Sequence, residues 1–268
     1  MPDSIIAVRA SSWGSLFDCA HKWEGEHILG MRKASGLRAH LGTSVHAGTA
    51  AFDRAHLDGN DITPDDAAGA FIDTLHAPEN PVDYHQDDLT VKEAERIGLT
   101  LTTRYCVEIA PNMEYASVER ALEPLDIDAG NGQIVRLTGT MDRARVVRSS
   151  FGTVINDIKT GARVISDGQV SLKGRAPQLG AYQLMSEHTD GVVTAGAQIT
   201  ALQTSKAANI AVSPVFDAKK VMLGTETQKG LIEFAAEMFR SGLFPPNPLS
   251  PLCSPKYCAR WNTCNFHE

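Results

Sequence analysis

Cysteine placement constrains this chain more than any other feature. Of its five cysteines, Cys19 stands alone in the first segment, whereas Cys253, Cys258 and Cys264 crowd the last residues as C-x4-C-x5-C within LCSPKYCARWNTC. Three thiolates on a short, turn-rich loop converge readily on one metal centre, and a fourth from the far end completes a four-thiolate set. Zinc ribbons usually bring two knuckles of two cysteines each. The one-plus-three split therefore favours an iron–sulfur cluster over zinc or unrelated thiols. Such a cluster would staple the N-terminus to the C-terminus. Cys106, in the apolar helical stretch TRYCVEI, reads as a buried small hydrophobe.

With 268 residues, 43% of them hydrophobic, the chain can build one large core. No stretch approaches the ~18 apolar residues of a membrane span. The start, MPDSIIAVRASSW, lacks a basic segment followed by a long apolar run, which predicts a cytoplasmic protein with no membrane partner. In that compartment clustered cysteines are more often metal ligands than disulfides. The net charge of −7 argues against nonspecific nucleic-acid binding over the whole surface. Charge is uneven, however. Residues 159–175 carry Lys159, Arg163, Lys173 and Arg175 against Asp167, and residues 9–40 are also rich in Lys and Arg, whereas 83–128 is strongly acidic. A local basic channel on an acidic body and scattered solvated charge both fit this pattern.

Apolar periodicity and capping residues predict helices over 11–24, 42–57 (capped by Thr43 or Ser44), 64–76, 88–110, 175–188 and 217–241. Short Val/Ile/Leu/Thr-rich segments at 115–128, 133–140, 142–148 and 153–158, punctuated by Gly130, Gly132 and Ser149-Ser150, read as consecutive strands of a mostly antiparallel sheet. Residues 194–203 and 208–215 add two more. The order of elements gives a mixed α/β (α+β) chain. It divides into an N-terminal helical part (1–112), a sheet core (113–215) and a C-terminal helix with the cysteine loop (216–268).

Two strand-borne acids stand out: Asp142 in LTGTMDRARVV and Asp157 in TVINDIKTG. Strand alternation puts Asp157 and Lys159 on one face and Ile158 on the other, towards the core. Two carboxylates and a lysine on adjacent strands can hold Mg²⁺ or Mn²⁺, polarise a phosphodiester and stabilise the charge of its transition state. A bare D-x-K also fits a pair of solvated acids near a lysine. His46 lies in GTSVHAG on the helix before the sheet. Gln178 and Tyr182, in QLGAYQ, are four apart and share a helical face.

The full order reads Cys; G-T-x-x-H; G-x-x-D; D-x-K-T; Q-x-x-x-Y; three cysteines. No one motif is specific, but the series from Cys19 to Cys264 resembles the RecB-like branch of the PD-(D/E)xK nuclease superfamily. It is most similar to the iron–sulfur exonucleases of the CRISPR-associated Cas-four type and their phage-encoded relatives. The resemblance implies a restriction-endonuclease-like core, with a central mixed sheet flanked by helices. It implies that His46, Asp142, Asp157 and the Ile158 carbonyl bind Mg²⁺ or Mn²⁺, and that Lys159 is the catalytic lysine. Gln178 and Tyr182 would lie beside the active site. Cys19, Cys253, Cys258 and Cys264 would bind a 4Fe–4S cluster. Three positions depart from the pattern: Asp157 stands where many relatives have Glu, Ala50 replaces an acid often found four residues after the histidine, and the cysteine loop begins C-x4-C rather than C-x2-C.

The activity expected is hydrolysis of DNA from its ends, in phage or bacterial recombination, replication or repair. Arg163, Lys173 and Arg175 are candidates to meet backbone phosphates. Trp13 or Tyr182 is a candidate to stack on a base. No helicase motif is present, so a recombinase, helicase or single-strand-binding protein is the expected kind of partner. Two rivals are a non-catalytic DNA-binding or assembly module on the same fold and a redox iron–sulfur carrier. The intact Asp142–Asp157–Lys159 set speaks against the first. The acids and Gln178/Tyr182 have no role in the second.

Overall fold

The computed structural model describes residues 4–147 and 152–267. In chain order its elements are β1 (Ser4–Arg9), α1 (Trp13–Asp18), α2 (Ala20–His27), β2 (Ser35–Gly36), α3 (Leu37–Leu57), α4 (Pro64–His76), β3 (Val82–Asp83) and α5 (Val91–Arg104). Five strands follow: β4 (Tyr115–Ala121), β5 (Leu125–Asp128), β6 (Gln133–Thr138), β7 (Thr140–Val146) and β8 (Thr153–Gly161). After the β9–β10 hairpin (Ile165–Ser166, Gln169–Val170) come α6 (Ala176–Asp190), β11 (Gly196–Gln203) and β12 (Ile210–Val212). Then come α7 (Lys220–Leu223), β13 (Gly224–Thr225), β14 (Gln228–Lys229) and α8 (Leu231–Ser241). The expected Ser149-Ser150 punctuation lies outside the described residues.

The main sheet has the order β12-β11-β8-β7-β4. Its β4–β7–β8 half is antiparallel, as expected, but it is not a run of consecutive strands. The segment read as one strand over 115–128 splits into β4 and β5, and β5 and β6 leave to join β1 in a separate sheet. β11 instead runs parallel to β8, because α6 carries the chain across the sheet between them. The sheet is therefore mixed. Both faces are covered, which is why β8 and β11 are nearly continuously buried rather than alternating. On one face Ile158 and Leu202 pack with the apolar residues of α3, α4 and α5. On the other, Ile155 and Ile199 pack with α6, α8 and a small β1-β6-β5 sheet.

Local chemistry sets most boundaries. Thr63 with Asp66 and Thr90 with Glu93 form capping boxes that start α4 and α5, with Pro64 in the first turn of α4. Gly191, at φ 67°, ends α6. α3 begins earlier than predicted, with Gly36 rather than Thr43 or Ser44 at its cap. Three other expectations change. The 11–24 helix breaks at Cys19, whose extended backbone (φ −148°, ψ 95°) separates α1 from α2. The 88–110 helix passes through a π-turn over Tyr105–Ile109. The single 217–241 helix is interrupted by the β13–β14 hairpin, where Gly224 adopts φ 71° and a side chain would collide with the Gln228 carbonyl. The N-terminal part is also not purely helical, since β1 pairs with β6.

Candidate active site

The main sheet opens where β7 and β8 part. Their ladder runs from Val146↔Thr153 to Arg143↔Asn156 and stops there. One step further would set Asp142 opposite Asp157; instead the Ile158 amide donates to Asp142 Oδ2 at 2.8 Å. Asp157 is fully buried, and its Oδ2 lies 2.8 Å from Lys159 Nζ. That oxygen has no hydrogen bond of good geometry. From α6, Gln178 Nε2 donates to Asp157 Oδ1 at 3.3 Å and to the Tyr182 hydroxyl at 3.4 Å.

His46 arrives from α3, with Nδ1 3.6 Å from Asp142 Oδ2. The helix reaches this close because Gly42, one turn earlier, abuts β8: a Cβ there would lie 2.5 Å from Thr160 Oγ1. The structure thus brings together all six residues predicted for the acid site: His46, Asp142, Asp157, Lys159, Gln178 and Tyr182. The Ile158 side chain is buried in the α3–α5 core, as strand alternation predicts.

Glu119, on β4, was not anticipated. Its ligand atoms and those of His46 and Asp142 lie within 4.8 Å of one another. Its backbone is left-handed at φ 47°, a conformation that costs about 1–3 kcal/mol outside glycine. Its Oε1 accepts a hydrogen bond from Arg143 Nη1 at 3.0 Å. The sequence offers only an acid inside a strand, VER, with nothing to show which way it turns.

The electrostatics are those of a site short of positive charge. Burial pushes the Asp157 carboxyl up to about 6; Lys159 pulls it down, and the nearby Asp142 pushes it further up. Burial likewise raises Asp142, against the opposing pull of Lys159 and Arg143. Burial also lowers His46 to about 4, helped by the Lys159 ammonium, so its imidazole is neutral at pH 7. Two ionisable carboxylates, a third within reach and a neutral imidazole make a donor set that fits a divalent cation.

Away from the acid-site residues in sequence, Cys19, Cys253, Cys258 and Cys264 line one pocket with His21, Pro246 and Phe266. The Asn247 amide points to Cys19 Sγ at 3.4 Å, and Asn247 Nδ2 donates to the Asp18 carbonyl at 2.9 Å. Arg260 Nη2 ties the loop to Glu24 on α2 at 2.7 Å. Burial raises the Cys253 thiol, and the other three thiols add to the shift. Cys106 is apart from them, buried, and pushed up to about 12 by burial and then by Asp53.

Arg163 and Lys173 are exposed and Arg175 partly so, on the connection from β8 to α6. Trp13 corrects an expectation: it is fully buried in the core that α1 shares with α6, and presents no face to a base. The Tyr182 ring is buried as well, which leaves its hydroxyl rather than its face to the site.

A mixed sheet that parts around two acids and a lysine, with a histidine from the preceding helix, defines a metal-dependent phosphodiester-cleaving class of protein. The chain belongs to the PD-(D/E)XK nuclease superfamily, whose family model matches residues 10–265. Members of that superfamily are generally divalent-metal nucleases, and membership implies DNA as substrate. No curated protein matches the chain. Among the described residues, no helix is long and apolar enough to cross a membrane.

Proposed function

We propose that this chain is a divalent-metal-dependent DNA exonuclease of the RecB-like iron–sulfur type, similar to the Cas-four exonucleases and their phage relatives. The observation that carries the catalytic reading is the convergence of His46, Asp142, Asp157 and Lys159 from α3, β7 and β8 on one opening of the sheet. Asp142, Asp157, the Ile158 carbonyl and His46 hold the cation, with Glu119 in reach. Bound there, Mg²⁺ or Mn²⁺ polarises the scissile phosphodiester and supplies a water of lowered pKa. The imidazole favours Mn²⁺ of the two. The Lys159 ammonium offsets charge gathering on the phosphoryl oxygens or orients the attacking water. Gln178 Nε2 restrains the Asp157 carboxylate, and the same nitrogen donates to the Tyr182 hydroxyl. Arg163, Lys173 and Arg175 form no ion pairs among the described residues, which leaves them for DNA phosphates and makes binding salt-dependent.

Cys19, Cys253, Cys258 and Cys264 hold a 4Fe–4S cluster that joins the chain ends. Support comes from the pocket that the four cysteines share. A recombinase, helicase or single-strand-binding protein presents the DNA end.

The test uses end-labelled single- and double-stranded DNA with anaerobically purified protein, Mg²⁺ or Mn²⁺, and a Lys159→Ala control. Metal-dependent loss of nucleotides from one end, absent in the variant, supports the reading and gives the polarity. No cleavage by cluster-loaded protein that still binds DNA would replace it with a non-catalytic binding module.

A further inference from the structure

Arg143 follows Asp142 on β7 and is fully buried. A guanidinium in that position has to be matched by acceptors on every side, because an unpaired buried charge is not tolerated. Its Nε donates to Asp53 Oδ2 on α3 at 2.6 Å. Its Nη1 forks between Glu119 Oε1 at 3.0 Å and the Asp142 carbonyl at 2.8 Å, and Nη2 reaches Thr49 Oγ1 at 3.5 Å. Among the described residues, no hydrogen bond or ion pair joins Asp53 to His46, Glu119, Asp142 or Asp157; its second partner is the Tyr105 hydroxyl, which donates to Oδ2 at 2.6 Å. One rigid planar group therefore grips the Glu119 carboxylate and the main chain of Asp142, and is itself anchored to the helix that carries His46.

A permanent positive charge directly behind a cation site repels the cation unless something cancels it. The Asp53 carboxylate is placed to do so. We propose that Arg143 is a positioning residue that holds Glu119 and Asp142 at the cation site, and that Asp53 is its counter-ion, cancelling the charge that would otherwise weaken cation binding. The inference rests on the cation site proposed above and extends it to two residues that touch neither cation nor DNA. The two work as a unit: Arg143 supplies the geometry, and Asp53 makes that geometry compatible with a bound dication.

The test measures Mn²⁺ affinity by calorimetry, without DNA, in the full chain. Wild type that binds no Mn²⁺ overturns the cation-site reading itself. Given wild-type binding, Asp53→Asn leaves Arg143 balanced only by Glu119, a carboxylate the cation site itself needs, and weakens Mn²⁺ by at least about tenfold. Adding Arg143→Gln to Asp53→Asn removes the stray charge and recovers part of that affinity. A merely structural role gives the reverse, since a second core substitution only adds damage. Tyr105→Phe, which loosens the same core without changing its charge, leaves Mn²⁺ affinity within about twofold of wild type. Equal Mn²⁺ binding in wild type and Asp53→Asn, or a double variant no better than the single, overturns the proposal. Where Asp53→Asn does not fold, Arg143→Lys serves. It keeps the charge but not the fork, so weaker Mn²⁺ binding in a folded Arg143→Lys supports the proposal and wild-type binding overturns it.

Discussion

The acid site and the cysteine pocket are built in opposite ways and stand as two poles of construction. Asp142, Asp157 and Lys159 sit on strands whose register is fixed by ladders on several sides, and His46 rides on a 21-residue helix. Their positions are inherited from regular structure. The segment that carries Cys253, Cys258 and Cys264 has no regular element among its described residues beyond a three-residue turn at Trp261–Thr263. A few long-range contacts hold it, among them Arg260 to Glu24 at 2.7 Å and Lys256 to Asp87 at 2.9 Å. A scaffolded site loses function, not fold, when a reacting group is removed. A loop organised around its own ligands loses its order.

The largest effect follows at the scaffolded pole. Lys159→Ala removes the ammonium beside Asp157 and lowers the cleavage rate by at least about a hundred- to a thousandfold, with little change in melting temperature. Single-turnover cleavage of labelled DNA and thermal melting read the two quantities on one sample. A variant as active as wild type sinks the assignment of the lysine, and a collapse in melting would mean that the acid pole is not the rigid one.

Cys258→Ser is the counterpart at the other pole. Opening a staple between residues 19 and 253–264 costs roughly 5 kcal/mol by analogy with a disulfide closing a long loop. For a chain of this size that is about 10–20 °C of melting temperature. Iron content and visible absorbance fall with it. Unchanged melting and unchanged iron would erase the contrast between the poles.

The contrast also explains what could be read from the sequence. Strand alternation and four-residue helical spacing, which are periodic and survive in one dimension, paired Asp157 with Lys159 and Gln178 with Tyr182. Joining these pairs with His46 and Asp142 in one site came from the resemblance of the ordered motifs to a known superfamily. Glu119 was not legible, since its carboxylate reaches the site only through a left-handed backbone and the pairing of β4 with β7. Nor was the Asp53–Arg143 pair, whose members are 90 residues apart. Trp13 was misread because an apolar helical stripe shows which side is greasy and not what covers it; here the large core that includes α6 does. The 217–241 stretch kept a helical pattern across Gly224 and Gly230, where the close approach of the β13 and β14 backbones excludes side chains.

A smaller effect is set by pH. Burial holds the Asp157 carboxyl up at about 6, so protons compete with the cation below that value. Apparent Mn²⁺ affinity therefore falls as pH drops through about 6 and levels off above it. For the cation-free protein the sign is opposite. Asp157 keeps its proton to higher pH than in the unfolded chain, where the group ionises near ~3.9, so its ionisation removes stability as pH rises through that window. His46, held down at about 4, adds stability over much of the same window and offsets that loss. Mn²⁺ titrations at pH 5, 6 and 7.5 check the first statement, which flat affinity would contradict.

The smallest effect separates residues that touch the reaction from those that restrain it. Gln178 donates to Asp157 Oδ1 at 3.3 Å and to the Tyr182 hydroxyl at 3.4 Å. Both are long contacts, worth about 1 kcal/mol or less together. If Gln178 only restrains a carboxylate already fixed by β8 and Lys159, Gln178→Ala slows cleavage by roughly fivefold. Tyr182→Phe then does less, because it removes only the far end of the chain of contacts. Gln178→Glu does more, because it sets a second negative charge against a buried one. A hundredfold loss in Gln178→Ala would mean that the amide meets the DNA itself. The scaffolded pole would then reach across the sheet to α6, and the cleft would have its second wall there.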